Sequence, residues 1–353
     1  MVNQKSTHET QKLYHYLKSI KGQAMLFGHQ NTTSDGVTLK DHSGDYSDVE
    51  NVVGDFPAVY GWDTLALIGV EGTFNELKVW IEKAARRGGI ITVSGHMLNP
   101  VTDGLFNDTR GHAVTEILKF SGAPYEKFRA HLDLFAQLAD CVKLPNGQPV
   151  PIIFRPFHEN SGDWFWWGKA HCSKEEYLEL FQYTVNYLKD TKALHNLIYT
   201  YSPNGHFESK EDYLDRYPGD DYIDIVGFDV YHDKPQRDDG WLEAFIKDCQ
   251  IISTIANERD IVGAITEVGL RWNAMDGLAP TNNTIPDWYT WLLSAIKKDE
   301  QARQVVYMLN WWNGPNGRFW VPYKGHEMAE DFICFYQDEF MKFNKETENL
   351  YSE

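Results

Sequence analysis

Val150-Pro-Ile-Ile-Phe-Arg-Pro-Phe-His-Glu159 is a short, mostly apolar run that breaks off in a histidine and an acid. A run of this length, rich in β-branched and aromatic residues, reads as a strand buried on both faces, as in a parallel sheet. Comparable runs recur on either side. With Pro151–His158 itself, the eight are Ala24–His29, Ala58–Asp63, Ile90–His96, Pro151–His158, Leu197–Ser202, Ile223–Val230, Ile261–Glu267 and Val305–Trp311. Amphipathic stretches lie between them. Thr73–Arg87 carries Phe74, Leu77, Trp80 and Ile81 and is stopped by Gly88-Gly89. Pro124–Ala139 repeats Phe128, Leu132, Phe135 and Leu138 at helical spacing. Ser173 and Glu176 form a capping-box pattern ahead of Lys174–Lys189. Trp241–Asn257, Ile285–Lys298 and Glu327–Phe343 read as further helices, and Thr7–Ser19 as an extra helix before the first strand. Eight strand–helix alternations predict an α/β protein of the (β/α)8 TIM-barrel class. With no linker-like tract, residues 1–353 are expected to form a single catalytic domain, with residues 1–20 holding the extra N-terminal helix.

Composition narrows the function. The 353 residues are 42% hydrophobic and carry a formal charge of -18, from 51 acidic and 33 basic side chains. So acidic a surface disfavours nucleic acid and anionic lipid, and suits a neutral ligand. No run approaches ~18 apolar residues, so no membrane span is expected. The N-terminus has no signal-peptide core; export, secreted or periplasmic, with the signal already removed is the expectation. The four cysteines form no metal-knuckle or redox spacing and read as buried or free thiols. A monomer is expected. Aromatic residues make up 14% of the chain, 12 of them tryptophan, which serves either a large core or platforms for sugar rings.

In such a barrel the strand C-termini form the active face. The fourth strand ends in Glu159 and the seventh, Ile261-Val-Gly-Ala-Ile-Thr-Glu267, in a second acid. Two carboxylates reaching one mouth from opposite sides are what glycosidic cleavage requires: one protonated to give a proton to the leaving oxygen, one ionised to attack. Glu159 then needs a raised pKa and Glu267 a low one. The flank Asn160-Ser-Gly-Asp-Trp-Phe-Trp-Trp-Gly168 is too aromatic to be wholly core. Trp164 is expected at the reaction centre, while Trp166 and Trp167 fit platform or packing equally. At the eighth strand end, Asn310-Trp-Trp-Asn313, strand alternation is read as sending Trp312 to the mouth and Trp311 into packing. His96 fits a sugar-hydroxyl contact, Tyr231 a hydrogen bond to Glu267, and Arg155, at mid-strand, a buried ion pair beneath the site. The long polar loop Leu98–Gly122 has a length typical of functional or mobile segments. A zinc motif is not completed: position 162 is Gly where H-E-x-x-H would need histidine. No nucleophile-elbow G-x-S-x-G occurs. No metal and no cofactor is expected.

The segment Arg155–Gly168 closely resembles the acid/base segment of glycoside hydrolase family 26, the β-mannanases. Thr266-Glu-Val-Gly269 looks like that family's nucleophile segment, Phe27-Gly-His-Gln30 its first strand and Ser94-Gly-His96 its third. The resemblance runs from about Phe27 to Trp312. It implies hydrolysis of β-1,4-mannosidic bonds in a mannan-type polysaccharide or oligosaccharide, Glu159 as acid/base, and Glu267 as nucleophile. It also implies His96, Trp164, Tyr231 and Trp312 around the reacting sugar, with His158 beside it. Several family members have a basic residue after the tryptophan where this chain has Asn313. The same family hosts activity on other β-glycans, such as β-1,3-xylan or mixed-linkage β-glucan. A non-catalytic carbohydrate-binding barrel is the competing class; it would keep the tryptophans but has no need of both acids.

Overall fold

The eight expected strands are all present and close into a parallel barrel. The computed structural model describes residues 1–273, 277–314 and 317–351. Helix α1 (His8–Ser19) precedes β1 (Met25–Gln30); α2 (Asp48–Val53) and β2 (Val59–Asp63) follow, then α3 (Phe74–Arg86) and β3 (Ile90–Gly95). The chain continues through α4 (Ala113–Ile117), α5 (Gly122–Cys141), β4 (Ile152–Pro156), α6 (Lys174–Asn186), β5 (Leu197–Tyr201) and the single turn α7 (Lys210–Tyr213). It ends with β6 (Ile225–Asp233), α8 (Trp241–Glu258), β7 (Val262–Arg271), α9 (Trp288–Lys298), β8 (Tyr307–Asn310), α10 (Ala329–Gln337) and β9 (Met341–Lys342). Neighbouring strands pair in parallel in chain order from β2 to β8, and β1 closes the circle between β8 and β2.

Strand alternation divides the core into two layers. Outward residues such as Phe154, Val93 and Tyr199 join the helices in one apolar cluster, with Phe154 stacked 4.1 Å from Phe135 of α5. Inward residues, Ile153, Ile198, Ile225, Val262 and Leu26 among them, form a second cluster. Leu13, Tyr14 and Leu17 of α1 belong to that inner cluster, so the extra helix plugs the floor of the barrel. Thr7 caps α1, its hydroxyl accepting from Thr10 N. The Tyr14 hydroxyl donates to Asp224 O at the foot of β6. Leu17 is fully buried, and its truncation to alanine is expected to cost about 2–5 kcal/mol, read as a lowered urea midpoint. A change within about 0.5 kcal/mol, the scale of an ordinary surface substitution, would mean the floor closes without this helix.

The Ser173–Glu176 capping box forms as the sequence predicts. At the C-terminus the expected helix Glu327–Phe343 is corrected. The helix ends at Gln337, and Met341–Lys342 pairs in parallel with the start of β1. The apolar run Phe340–Phe343 has helical and strand readings alike, and the open edge at the foot of β1 decides for the strand. The loop after β3 holds the short helix α4, and α5 begins at Gly122, ahead of Pro124. All four cysteines are free thiols, Cys172 and Cys249 buried. Among the described residues no helix is long and apolar enough to cross a membrane.

Candidate active site

Two local departures from regular strand geometry aim the acids. In β4 the alternation sends Ile153 and Arg155 inward, which would send Phe157 inward as well. The strand instead ends at Pro156, and Phe157 and Glu159 take left-handed backbone with φ of 49° and 53°. Such residues cost ~1–3 kcal/mol each and persist where their surroundings hold them. Phe157 turns into the outer core, 6.2 Å from Phe128 and from Phe181. His158 and Glu159 are thereby delivered to the mouth. In β7 the inward residues are Val262 and Ala264, so regular alternation would put Thr266 inside and Glu267 outside. A register shift intervenes: Phe228 pairs with Ile265, but Asp229 pairs with Glu267. This bulge inserts Thr266 as an extra residue, its hydroxyl bonded to Phe228 O at 2.9 Å and to an Asp229 carboxylate oxygen at 2.6 Å. Bulges re-aim side chains beside active sites, and here Glu267 turns into the cleft.

The two acids sit in unlike surroundings. Glu159 is buried and accepts one hydrogen bond, from Trp164 Nε1 at 2.6 Å. Burial, with the negative charge of Glu267 nearby, pushes its carboxyl up to about 7. The Trp164 indole folds back over the turn between them. A Cβ at Gly162 would lie 2.4–2.6 Å from the indole ring, so only glycine admits that contact. Glu267, by contrast, accepts on both oxygens: from the Arg155 guanidinium on Oε1 and from the Tyr231 hydroxyl at 2.7 Å on Oε2. That acceptor-only arrangement matches an ionised carboxylate. Arg155 also donates to Asp229 at 2.6 Å, forming the buried ion pair expected beneath the site. The Arg271 guanidinium lies 3.8 Å over the Tyr231 ring. Burial and the charge of Glu267 hold the Tyr231 hydroxyl protonated, so it stays a donor.

His96, just past the end of β3, donates through Nδ1 to the Asp63 carboxylate at 2.7 Å. Burial alone would lower its pKa, but the negative charges of Asp63, Glu267 and Glu71 together outweigh it and the ring is raised above its ordinary value. His158 packs edge-on against His96 at 4.4 Å. Burial, then the charges of Arg155 and His96, hold His158 neutral. His158, Asp229 and Glu267 each bring an atom of metal-ligand type within 4.8 Å of the others. The Arg155 guanidinium already supplies the positive charge between the two carboxylates, which argues against reading this cluster as a metal site.

These side chains line one cleft of about 1190 Å³, larger than the ~300–1,000 Å³ typical of small-molecule pockets. His96, His158, Glu159, Trp164, Tyr231 and Glu267 all border it, as do both Trp311 and Trp312. The expectation that Trp311 packs away is therefore corrected: Trp311 lies 6.4 Å from His96 and is only half-buried. β8 stops at Asn310, so alternation no longer governs the two tryptophans. Trp166 and Trp167 are packing residues, 1% and 0% exposed, their indoles donating to Met97 O and His158 O. Asn313 is fully buried. Its Nδ2 donates to Asp48 and to Val321 O, and its Oδ1 accepts from the peptide N–H groups of Trp320 and Val321. It braces the loop. Sequence reasoning missed Asp63 and Asp229, which orient His96 and Arg155. It also missed His206 and Arg318, on loops, and Trp241, at the first position of α8, which join the cleft wall from places no strand pattern specifies.

A parallel barrel whose mouth gathers two acids in unlike surroundings, walled by indoles, has the layout of a carbohydrate-cleaving barrel. Comparison with known proteins narrows that class. Residues 2–307 match glycosyl hydrolase family 26, and the chain belongs to that family. A mannan endo-1,4-beta-mannosidase of Bifidobacterium adolescentis is 36% identical over 350 residues, which is 94% of this chain and 34% of that protein. The chain thus spans about a third of the length of that curated relative. The catalytic domain of a Bacillus sp. JAMB-750 endo-beta-1,4-mannanase superposes with a TM-score of 0.94 at 38% identity, covering 99% of this chain and 95% of that one. An endo-beta-1,4-mannanase double mutant of Cellulomonas fimi gives 0.93 at 39%, covering 100% and 79%.

Proposed function

We propose that the protein hydrolyses β-1,4-mannosidic bonds within mannan-type polysaccharides, with retention of configuration. The observation that carries this is the contrast between the two acids of one cleft. Glu159 is buried under the Trp164 indole with its carboxyl pushed up to about 7, and Glu267 is held as an acceptor by Arg155 and Tyr231. A neutral acid donates and a charged one attacks. Glu267 attacks the anomeric carbon while Glu159 protonates the leaving oxygen. The same Glu159, now a carboxylate, takes a proton from the water that releases the sugar from Glu267. Tyr231 and Arg155 orient the attacking oxygen. His96, His158, Trp164 and Trp312 surround the reacting ring, and Trp311 joins them from the geometry. The mannan specificity and the endo mode rest on the names of the family relatives. A polymer of this kind is met outside the cell, which supports a secreted or periplasmic site for the proposed reaction.

The test is proton NMR of the first products from mannohexaose, together with a panel of mannan, β-1,3-xylan and mixed-linkage β-glucan. The expected result is β-anomeric product appearing first and a clear preference for mannan. Initial α-product would overturn the double-displacement assignment. Binding without turnover on every glycan would favour the non-catalytic reading.

A further inference from the structure

The cleft extends past the reaction centre to the loop after β5, and nothing described so far uses that end. Three features there belong together. His206 borders the cleft with its ring about one-third exposed, and its Nδ1 is bonded to Asp248 at 2.6 Å. Asp248 is fully buried on α8, and its other oxygen accepts from Phe207 N at 2.9 Å. Gly205 makes this approach possible, since a Cβ there would lie 2.9 Å from Asp248 Oδ2. With Nδ1 anchored at its back, the His206 ring turns its opposite edge, Nε2, to the cleft. Trp241 stands 6.2 Å away, its plane at 74° to the His206 ring. It is fixed by a 3.0 Å bond from Nε1 to Tyr231 O and by parallel stacking on His232 at 4.4 Å. A buried carboxylate aiming an imidazole fixes both tautomer and direction.

This end lies on the acid's side of the cleft. Glu159 N donates to Ser202 O, and Asn204 N donates to Ser161 Oγ, so the turn carrying Glu159 is tied to the loop carrying His206. Glu267 lies on the β7–β8 side, next to the strand that leads into Trp311 and Trp312. The sugar under attack sits over Glu267, and the departing sugar lies beside Glu159, toward β5.

We infer that His206, aimed by Asp248 beside the Trp241 indole, is a binding residue for a sugar unit on the leaving-group side of the cleft. There Nε2 hydrogen-bonds a ring hydroxyl. The inference rests on the reaction proposed above. Asp248 is a positioning residue, acting through His206.

The experiment compares mannopentaose with an aryl β-mannobioside, whose leaving group is a phenol and places no sugar in this subsite. In His206→Ala the ratio of kcat/KM for the pentaose to that for the aryl substrate is expected to fall about tenfold, roughly the worth of one hydrogen bond. The loss should appear mainly in KM. Asp248→Asn is expected to shift the same ratio several-fold in the same direction. An unchanged ratio, whether both rates hold or both collapse together, would overturn the subsite and leave the dyad as a loop brace. A wild-type protein inert to both substrates would overturn the reaction and this subsite with it.

Discussion

Glu267→Ala is expected to lower kcat on mannan by on the order of 10⁵-fold, the scale seen when an enzyme loses its nucleophile. The substitution removes the group proposed to form the covalent intermediate. It also leaves the Tyr231 hydroxyl without its acceptor and the Arg155 guanidinium bonded to Asp229 and Ser202. The chemistry predicts more than a loss. The cavity left by the side chain admits a small anion such as azide or formate. Attack by that anion on an activated aryl β-mannoside gives a product of inverted configuration. Steady-state rates with and without azide, and the anomer formed, check the assignment. Turnover within tenfold of wild type would remove Glu267 from the reaction altogether.

Glu159→Gln is expected to lower kcat/KM on mannan by about 10²–10⁴-fold, the usual contribution of a positioned proton donor. Glutamine keeps the shape and can still accept from Trp164 Nε1, so the fold should be unaffected. An aryl substrate with a good leaving group needs little protonation. Its first step survives, and the reaction stalls at the glycosyl-enzyme, visible as a burst of phenol followed by a slow phase. The pH profile carries the same signature. Glu159 must be protonated to donate, and its carboxyl is pushed up to about 7. Wild-type kcat/KM therefore falls as pH rises through about 7, and in Glu159→Gln that limb disappears. An alkaline limb that persists in the variant would assign the titration to another group.

Much of this was legible in the amino-acid order because parallel strands buried on both faces write themselves as apolar runs. All eight strands are present with ends displaced by a few residues, and the acids expected at two of those ends border one cleft. Where the backbone leaves regular geometry, alternation no longer carries the answer. Trp311 was misplaced because alternation was applied past Asn310, where the strand stops. Glu267 was expected in the mouth although simple alternation from Ala264 would have turned it outward; the bulge that aims it leaves no mark in side-chain type. Phe340–Phe343 reads equally as helix or strand, and only the open edge of β1 selects. His206 and Asp248 lie 42 positions apart on a loop and a helix, with nothing local to couple them. The tie between Arg155, Asp229 and Glu267 spans three strands and emerges only when the barrel closes.

Thr266 and the bulge that absorbs it decide together which side of the wall the acid occupies. Glu267 stands three residues after inward-facing Ala264, an odd step that reaches the same face only because one residue is taken up outside the even pleat. Ironing out the bulge at constant length would swing the acid toward the surrounding helices. Deleting Thr266 would instead straighten the strand, leave the acid facing inward after Ile265, and forfeit the hydroxyl that ties Phe228 O to Asp229.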